Sequence, residues 1–396
     1  MNYASIIPLI GGETIAMEQV FGQRPDYLMS YEPFYGNDRH LIQHYNNQVP
    51  YYLLDGVDRD KWHNVDVVNT VCPCAGLSSL SPSSNSESTV NDWMINSAQF
   101  ILGQVKPKVF WGENAPRLAS KMGAPVVNKL RAIAEQNGYT MSIFKTKSIL
   151  HGLSQVRDRT FYFFWKGDKV PLFKYIKREH ERIEDTIRNV GRDPKDPMDV
   201  LTNTNIPSQN PFYRFVLEEI EGGITHQDFF NKIEKTTNPM DHIENNKVSY
   251  LEVAKWMTSN GFEKQAERCK TIHDKLTSGG NIMRKLVEVP KDYIGAFVGH
   301  LPSQLTHPDE DRFLTIREAL SIMKLPKDFI LQGGKSNLNH ICQNVPVTTA
   351  YDMAVSVKEY LNGELPFLDT KFAIQDNKTQ TVEYEKESVQ LIQFMV

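Results

Sequence analysis

Asp66-Val67-Val68-Asn69-Thr70-Val71-Cys72-Pro73-Cys74, residues 66–74, reads as a short buried strand that runs into a Cys-Pro-Cys corner. Brief apolar runs closed by turn-forming residues mark strands covered on both faces. The same pattern repeats on either side. Upstream, Ser5–Ile10 ends at Gly11-Gly12, Tyr27–Tyr31 ends in Glu32, and Tyr51–Leu54 ends at Asp55. Downstream, Val109–Trp111 runs into Glu113-Asn114, and a further strand spans Thr160–Trp165. Helical spacing lies between, as in Ala16, Met17 and Val20. Strands alternating with helices predict an α/β fold, a parallel sheet with helices on both faces. The polar residues gather at the carboxyl ends of the strands, the edge where such sheets bind ligands.

The character changes after residue 165. Lys174–Val190 reads as a charged helix with a thin stripe of Ile176, Ile183, Ile187 and Val190. Ser249-x-x-Glu252 is a capping box opening a helix through Trp256 and Met257 that stops at Asn260-Gly261. Phe262, Ala266, Cys269, Ile272 and Leu276 continue at helical spacing, so a helical hairpin is expected. The α/β pattern returns with helices over Thr315–Met323 and Val347–Leu361, the second stopping at Gly363. The expected organisation is an α/β unit at 1–165, a mostly helical insertion at 166–305, and a return to the first unit at 306–396. No internal repeat is visible.

Composition excludes little. The chain has 396 residues, 40% hydrophobic and 23% charged, as in ordinary soluble domains. No apolar run approaches the ~20 residues that span a bilayer. The amino terminus has no secretory pattern, so a cytoplasmic setting (bacterial or phage-infected host cell) is expected. The four cysteines, Cys72, Cys74, Cys269 and Cys342, make neither a disulfide framework nor a metal pair, and no metal is expected. A formal charge of −4 does not announce a nucleic-acid binder, although Lys106-Pro107-Lys108 and Lys174–Arg182 are local basic clusters. Such runs are most often solvated faces.

Singly, the polar residues are weak signals. A cysteine beside an apolar strand is usually buried and inert. Gly11-Gly12 can be a turn, Glu113-Asn114 a cap, and Gln155-x-Arg157-x-Arg159 an exposed edge. Order and spacing alter that balance. Residues 1–165 and 305–362 resemble the cytosine-5 DNA methyltransferase family, block by block. Ile10-Gly11-Gly12 resembles its cofactor loop, with Ile7 and Leu9 standing where the family carries Phe and Gly. Pro73-Cys74 matches its nucleophile block, followed by Ser78. Glu113-Asn114-Ala115-Pro116, Gln155-x-Arg157-x-Arg159, His307-Pro308 with Arg312, Leu314–Glu318, and Gln343-Asn344-Val345-Pro346 follow in the family's order.

The resemblance implies a Rossmann-like methyltransferase sheet interrupted by a target-recognition domain. It implies S-adenosylmethionine as methyl donor, held by Ile10, Gly11, Gly12, Glu32, Asp55, Pro73 and Asn344. It implies catalysis by Cys74, Glu113, Arg157 and Arg159 on double-stranded DNA, by a monomer that flips the cytosine out of the helix. Ser78, Ser81 and Gln155 are then expected to contact DNA. The stretch Ser78–Ser88, with seven serines, is expected to close over the site. The residue types suit the chemistry. Carbon-5 of cytosine takes a methyl group only after a thiolate adds at carbon-6. That addition needs an acid at ring nitrogen-3, the part of Glu113, and positive charge near the ring oxygen, the part of Arg157, with Arg159 orienting the site. The alternatives are the same chemistry on RNA or with a modified donor, or a catalytically inactive DNA-binding homologue.

Overall fold

The computed structural model describes residues 1–73, 76–77, 85–282, 287–299 and 301–384. Its centre is a nine-stranded sheet built from β1 (Tyr3–Ile6), β2 (Tyr27–Ser30), β3 (Tyr51–Leu53), β4 (Val67–Thr70), β5 (Val109–Asn114), β6 (Tyr139–Lys147), β7 (Asp158–Lys166), β10 (Phe372–Asp376) and β11 (Thr381–Tyr384). The spatial order is β11-β10-β6-β7-β5-β4-β1-β2-β3. From β3 to β5 every pairing is parallel. β7 then enters antiparallel to both β5 and β6. A separate ribbon pairs β8 (Val170–Pro171) with β9 (Phe367–Leu368).

Helices α1 (Gly12–Phe21), α2 (Tyr35–His44), α3 (Asp92–Phe100) and α4 (Ala124–Gln136) are the crossovers. The middle of the chain adds α5 (Ile183–Arg188), α6 (Pro211–Phe215), α7 (His226–Lys232), α8 (Pro239–Asn245), α9 (Tyr250–Ser259) and α10 (Glu263–Thr277). The chain returns through α11 (Ile316–Ile322), α12 (Leu338–Gln343) and α13 (Val347–Leu361). α13 packs along α1, and its Lys358 caps the Val20 carbonyl at 2.8 Å.

Two apolar cores result. The larger lies on both faces of the sheet and reaches from Tyr3 to Leu365, taking in Phe173, Ile183, Ile187 and Met198 as well as Ile294 to Leu305. The smaller joins α6 to α10 through Phe212, Tyr213, Phe229, Tyr250, Met257 and Cys269. Phe313 belongs to the smaller and Leu314 to the larger, so the two meet at Arg312–Thr315. There Arg312 makes a forked ion pair with the fully buried Glu318 at 2.8 and 2.9 Å. Buried His226 ties the same junction, accepting or donating to Tyr213 Oη at 2.8 Å and bonding the His307 carbonyl at 2.7 Å.

Local signals were faithful. The capping boxes Ser249/Glu252 and Thr315/Glu318 open α9 and α11, and Gly261 takes φ 78° between α9 and α10. Two expectations differ. The first strand stops at Ile6 because Ile7 and Leu9 adopt φ 50° and 51°, a left-handed geometry no strand tolerates. The charged helix over Lys174–Val190 is reduced to α5. Before it, the backbone of Phe173 and Ile176 is bonded by the side-chain amides of Gln375 and Asn377, at 2.7–3.0 Å, which replaces helical bonding.

Arg312→Leu is expected to leave Glu318 buried without its partner, a loss of roughly 3–5 kcal/mol for breaking one side of a buried pair. Urea unfolding checks this; a midpoint equal to wild type would show that the junction does not depend on the pair.

Candidate active site

The reversal of β7 creates the site. Because β7 runs against β5, its first residues sit beside the last residues of β5, with Glu113 opposite Phe161 and Asn114 opposite Thr160. Side chains two apart on a strand share a face. Arg159 therefore stands on the face of Phe161 and Glu113, and its Nε forms an ion pair with Glu113 Oε1. Glu113 is 2% exposed; the Arg159 side chain retains 12%. β4 is the next strand over, with Thr70 opposite Gly112, so the chain leaves β4 for Cys72-Pro73 beside the Glu113 end of β5. Gly112 is required there: a Cβ would lie 2.5 Å from Thr70 Cγ2 and 2.7 Å from Tyr162 Oη.

Cys74, Ser78 and Ser81 lie outside the described residues. Cys72 is buried, 3.3 Å from Thr70 Oγ1, and burial pushes its thiol up to about 11. A thiol held neutral in this way is a poor nucleophile. Pro73 is half-buried.

At the neighbouring edge, Ile7–Gly12 loops over the end of β1. The Asp38 carboxylate accepts from the Leu9 amide at 2.9 Å and from Tyr51 Oη at 2.9 Å, which holds the strained loop. Ile10 is buried, Gly11 takes φ 97°, and Gly12 N–H donates to Asn344 Oδ1 at 2.9 Å. A Cβ on Gly12 would fall 2.0 Å from the Val345 carbonyl oxygen. Buried Asn344 Nδ2 has no partner among the described residues. Beyond β2, the Glu32 amide donates to both carboxylate oxygens of Asp55 at 3.1 Å. The exposed Glu32 carboxylate makes no hydrogen bond or ion pair among the described residues.

Residues 1–359 match the model of the C-5 cytosine-specific DNA methylase family. The chain belongs to that family. It is a methyltransferase, and its sheet is that of known ones. A DNA modification methyltransferase encoded within an Escherichia coli prophage superposes with a TM-score of 0.55 at 14% identity, over 91% of this chain and 99% of that one. Schizosaccharomyces pombe Dnmt2 gives 0.52 at 11%, over 91% and 99%. Entamoeba histolytica methyltransferase EhMeth gives 0.51 at 12%, over 92% and 98%. In sequence, a Methanocaldococcus jannaschii protein named as a type II methyltransferase is 38% identical over 60 residues, 15% of this chain and only 19% of that relative.

Two of the residues expected at the site are buried. Gln155 was expected against DNA, but it is fully buried. Its Oε1 accepts from the Phe297 amide at 3.3 Å and its Nε2 approaches Met323 Sδ at 3.3 Å. It anchors the 294–297 segment, which also bridges to the Gln155 backbone. Arg157 is 1% exposed, and its Nη1 donates to the carbonyls of Phe297 and Cys342 at 3.3 and 3.0 Å. Arg159, and not Arg157, is the guanidinium at Glu113. At this edge the buried acids Asp38 and Glu13 went unread in the sequence. Glu13 had a faint signal, a charge directly after Gly12 at the head of the run Thr14-Ile15-Ala16-Met17.

Two outcomes follow from the loop. Gly12→Ala should force α1 from Asn344-Val345 and cost on the order of 1–3 kcal/mol, as overpacking does; an unchanged melting midpoint would contradict the close approach. Burial lifts Asp38 to about 7, against hydrogen bonds from Ser30, Tyr51 and Leu9 that lower it. A carboxyl raised on folding contributes stability that is full below about pH 4 and is lost as pH rises through about 7. Asp38→Asn should therefore gain stability relative to wild type across that window, and denaturant midpoints measured from pH 4 to 8 would reveal a flat difference if Asp38 does not titrate there.

Proposed function

We propose that this methyltransferase moves a methyl group from S-adenosylmethionine to carbon-5 of cytosine in double-stranded DNA, through a covalent bond from Cys74 to a flipped-out base. The observation that carries the reading is the buried Glu113–Arg159 pair on the carboxyl edge, beside the strand that leads to Pro73-Cys74.

The residues present fit the donor. The Gly12 backbone, which admits no Cβ, the unpartnered Nδ2 of Asn344 and the free carboxylate of Glu32 are groups suited to an amino acid moiety and a ribose. Ile10 and Gly11 shape that loop, Asp55 holds the Glu32 turn, and Pro73, half-buried at the end of β4, is assigned with them. S-adenosylmethionine, when bound, supplies a methyl group activated by a sulfonium. The chain does the rest. The sulfur of Cys74 bonds carbon-6, the displaced ring electrons reach nitrogen-3, and nitrogen-3 takes a proton from Glu113. Arg159 holds Glu113 and, keeping some exposure, is the guanidinium able to reach the ring oxygen; Arg157 braces the loops behind it. Carbon-5 then takes the methyl group, its proton leaves to water, the carbon–sulfur bond breaks to restore the thiolate, and nitrogen-3 returns its proton to Glu113.

A base inside a duplex must be extruded at a cost of roughly a few kcal/mol. The Ser78–Ser88 stretch, with Ser78 and Ser81, is suited to closing on it, and the smaller apolar core within 166–305 is suited to target recognition. Among the described residues no helix is long and apolar enough to cross a membrane.

Cys74→Ser is expected to lower turnover by on the order of 10³-fold or more while calorimetry shows donor affinity within a few-fold. Glu113→Gln should slow transfer by roughly 10²–10⁴-fold, the usual worth of a general acid. Bisulfite sequencing of DNA from cells expressing the protein tests the whole reading. Protected cytosines in a fixed sequence context are expected; unmodified DNA alongside labelled RNA would assign the chemistry to RNA.

A further inference from the structure

Glu13, in the first turn of α1, has no exposed surface, and neither carboxyl oxygen has a hydrogen-bond partner of normal geometry among the described residues. An ionised carboxylate in that position would forfeit its hydration with nothing in return, so the group keeps its proton. Burial is the larger cause of this and the charge of Glu113 the next, with the Asn69 side chain and Thr70 backbone pulling weakly the other way.

The register places Glu13 with the catalytic acid. Asn69 turns its side chain toward α1, donating from Nδ2 to Thr14 Oγ1 at 3.2 Å. Its partner on β5 is Trp111, and Glu113 is the next residue of β5 on that face. Glu13, Asn69, Glu113 and Arg159 therefore line one face at one edge of the sheet. Asn69 Oδ1 is itself without a partner, an acceptor beside a carboxyl that has a hydroxyl to donate. The other ionisable groups facing Glu13 are Tyr162 from β7 and Cys72 after β4, both held neutral by burial. From α13, Lys358 reaches only the far end of α1, and Asp352 is occupied by His151 and Arg178.

We propose that Glu13 is the proton store of the active site: an un-ionised carboxylic acid that shares one proton with Glu113, so that Glu113 can be paired to Arg159 at rest and still deliver a proton to the base. The proposal rests on the reading of Glu113 as the ring acid. At rest the proton sits on Glu13 and the charge on Glu113, where Arg159 favours it. As the sulfur–carbon-6 bond forms, Glu13 passes its proton to Glu113, which delivers it to nitrogen-3; both carboxyls are then ionised until nitrogen-3 returns the proton through Glu113 on release of the cysteine. No proton is gained or lost by the pair over a cycle.

Infrared difference spectra of protein carrying ¹³C-glutamate test the resting state. In a Glu288→Gln background, which removes the other glutamate that burial lifts to about 7, a protonated-carboxyl stretch is expected at pH 7 in the otherwise wild-type protein and in Glu113→Gln, and its loss in Glu13→Gln. A wild type without the band, or a band surviving in Glu13→Gln, overturns the assignment. Kinetics test the role. Glu13→Gln should lower kcat at neutral pH about tenfold, the effect of one pKa unit, and move the optimum to lower pH, with KM for DNA and donor affinity unchanged. Glutamine is equally neutral and nearly the same shape, so an unchanged kcat and profile would reduce Glu13 to a space-filling residue and end the proposal. Should Glu13→Gln fold poorly by thermal melting, Glu13→Met, which fills the same space without a proton, is expected to show the same loss of kcat. A band in a wild type that methylates no cytosine would overturn the store while locating the failure in the reading of Glu113.

Discussion

β7 enters the sheet against the direction of β5, and the site depends on that one reversal. Had β7 been parallel, its first residues would lie at the opposite edge, some six residues or roughly 20 Å away at 3.3 Å per residue. Reversed, it delivers Arg159 to the buried carboxylate of Glu113 and Arg157 to the carbonyls of Phe297 and Cys342. The pair is costly to bury, and it persists because each charge has the other. Around it the parallel half, β3 to β5, presents loops at the same edge, including the Ile7–Gly12 loop and the corner that follows β4.

That edge carries a concentration of buried polar groups with unfilled hydrogen-bonding capacity. The Glu13 carboxyl, Asn69 Oδ1, Asn344 Nδ2 and Tyr162 Oη all lie there without partners among the described residues. Folding alone would select against each of them. The strained backbone at Ile7 and Leu9, worth about 1–3 kcal/mol per residue, points the same way. Both are held by structure outside the loop: Asp38 grips Leu9, and Ile7 keeps its strand bond to Met29 at 2.9 Å.

What could be read in advance was what is local. Capping boxes, helix stops and apolar periods act over one or two turns, so α9, α10, α11 and α13 were legible to within a residue or two. The lengths of β5 and β7 and all of β6, β10 and β11 were not, because pairing partners decide them. Lys174–Val190 had a helical period but met Gln375 and Asn377, about 200 residues away in the chain. Gln155 and Arg157 were legible as a motif, but their burial came from the 294–297 segment and Cys342. The acids at Asp38 and Glu13 were hidden for a related reason: whether a carboxyl is buried is settled by packing from other elements. The smaller core that joins α6 to α10 is tied to the larger at Arg312–Thr315 by the pair with Glu318.

The central claim is that sulfur from Cys74 bonds the base before the methyl group arrives. It is tested most directly with a DNA duplex carrying 5-fluorocytosine, since a fluorine at carbon-5 cannot leave as a proton and the adduct cannot resolve. Incubation with S-adenosylmethionine should yield a denaturation-resistant protein–DNA complex, with the modified peptide mapping to Cys74 by mass spectrometry. No stable complex, or one mapping to Cys72 or any other residue, would contradict the account.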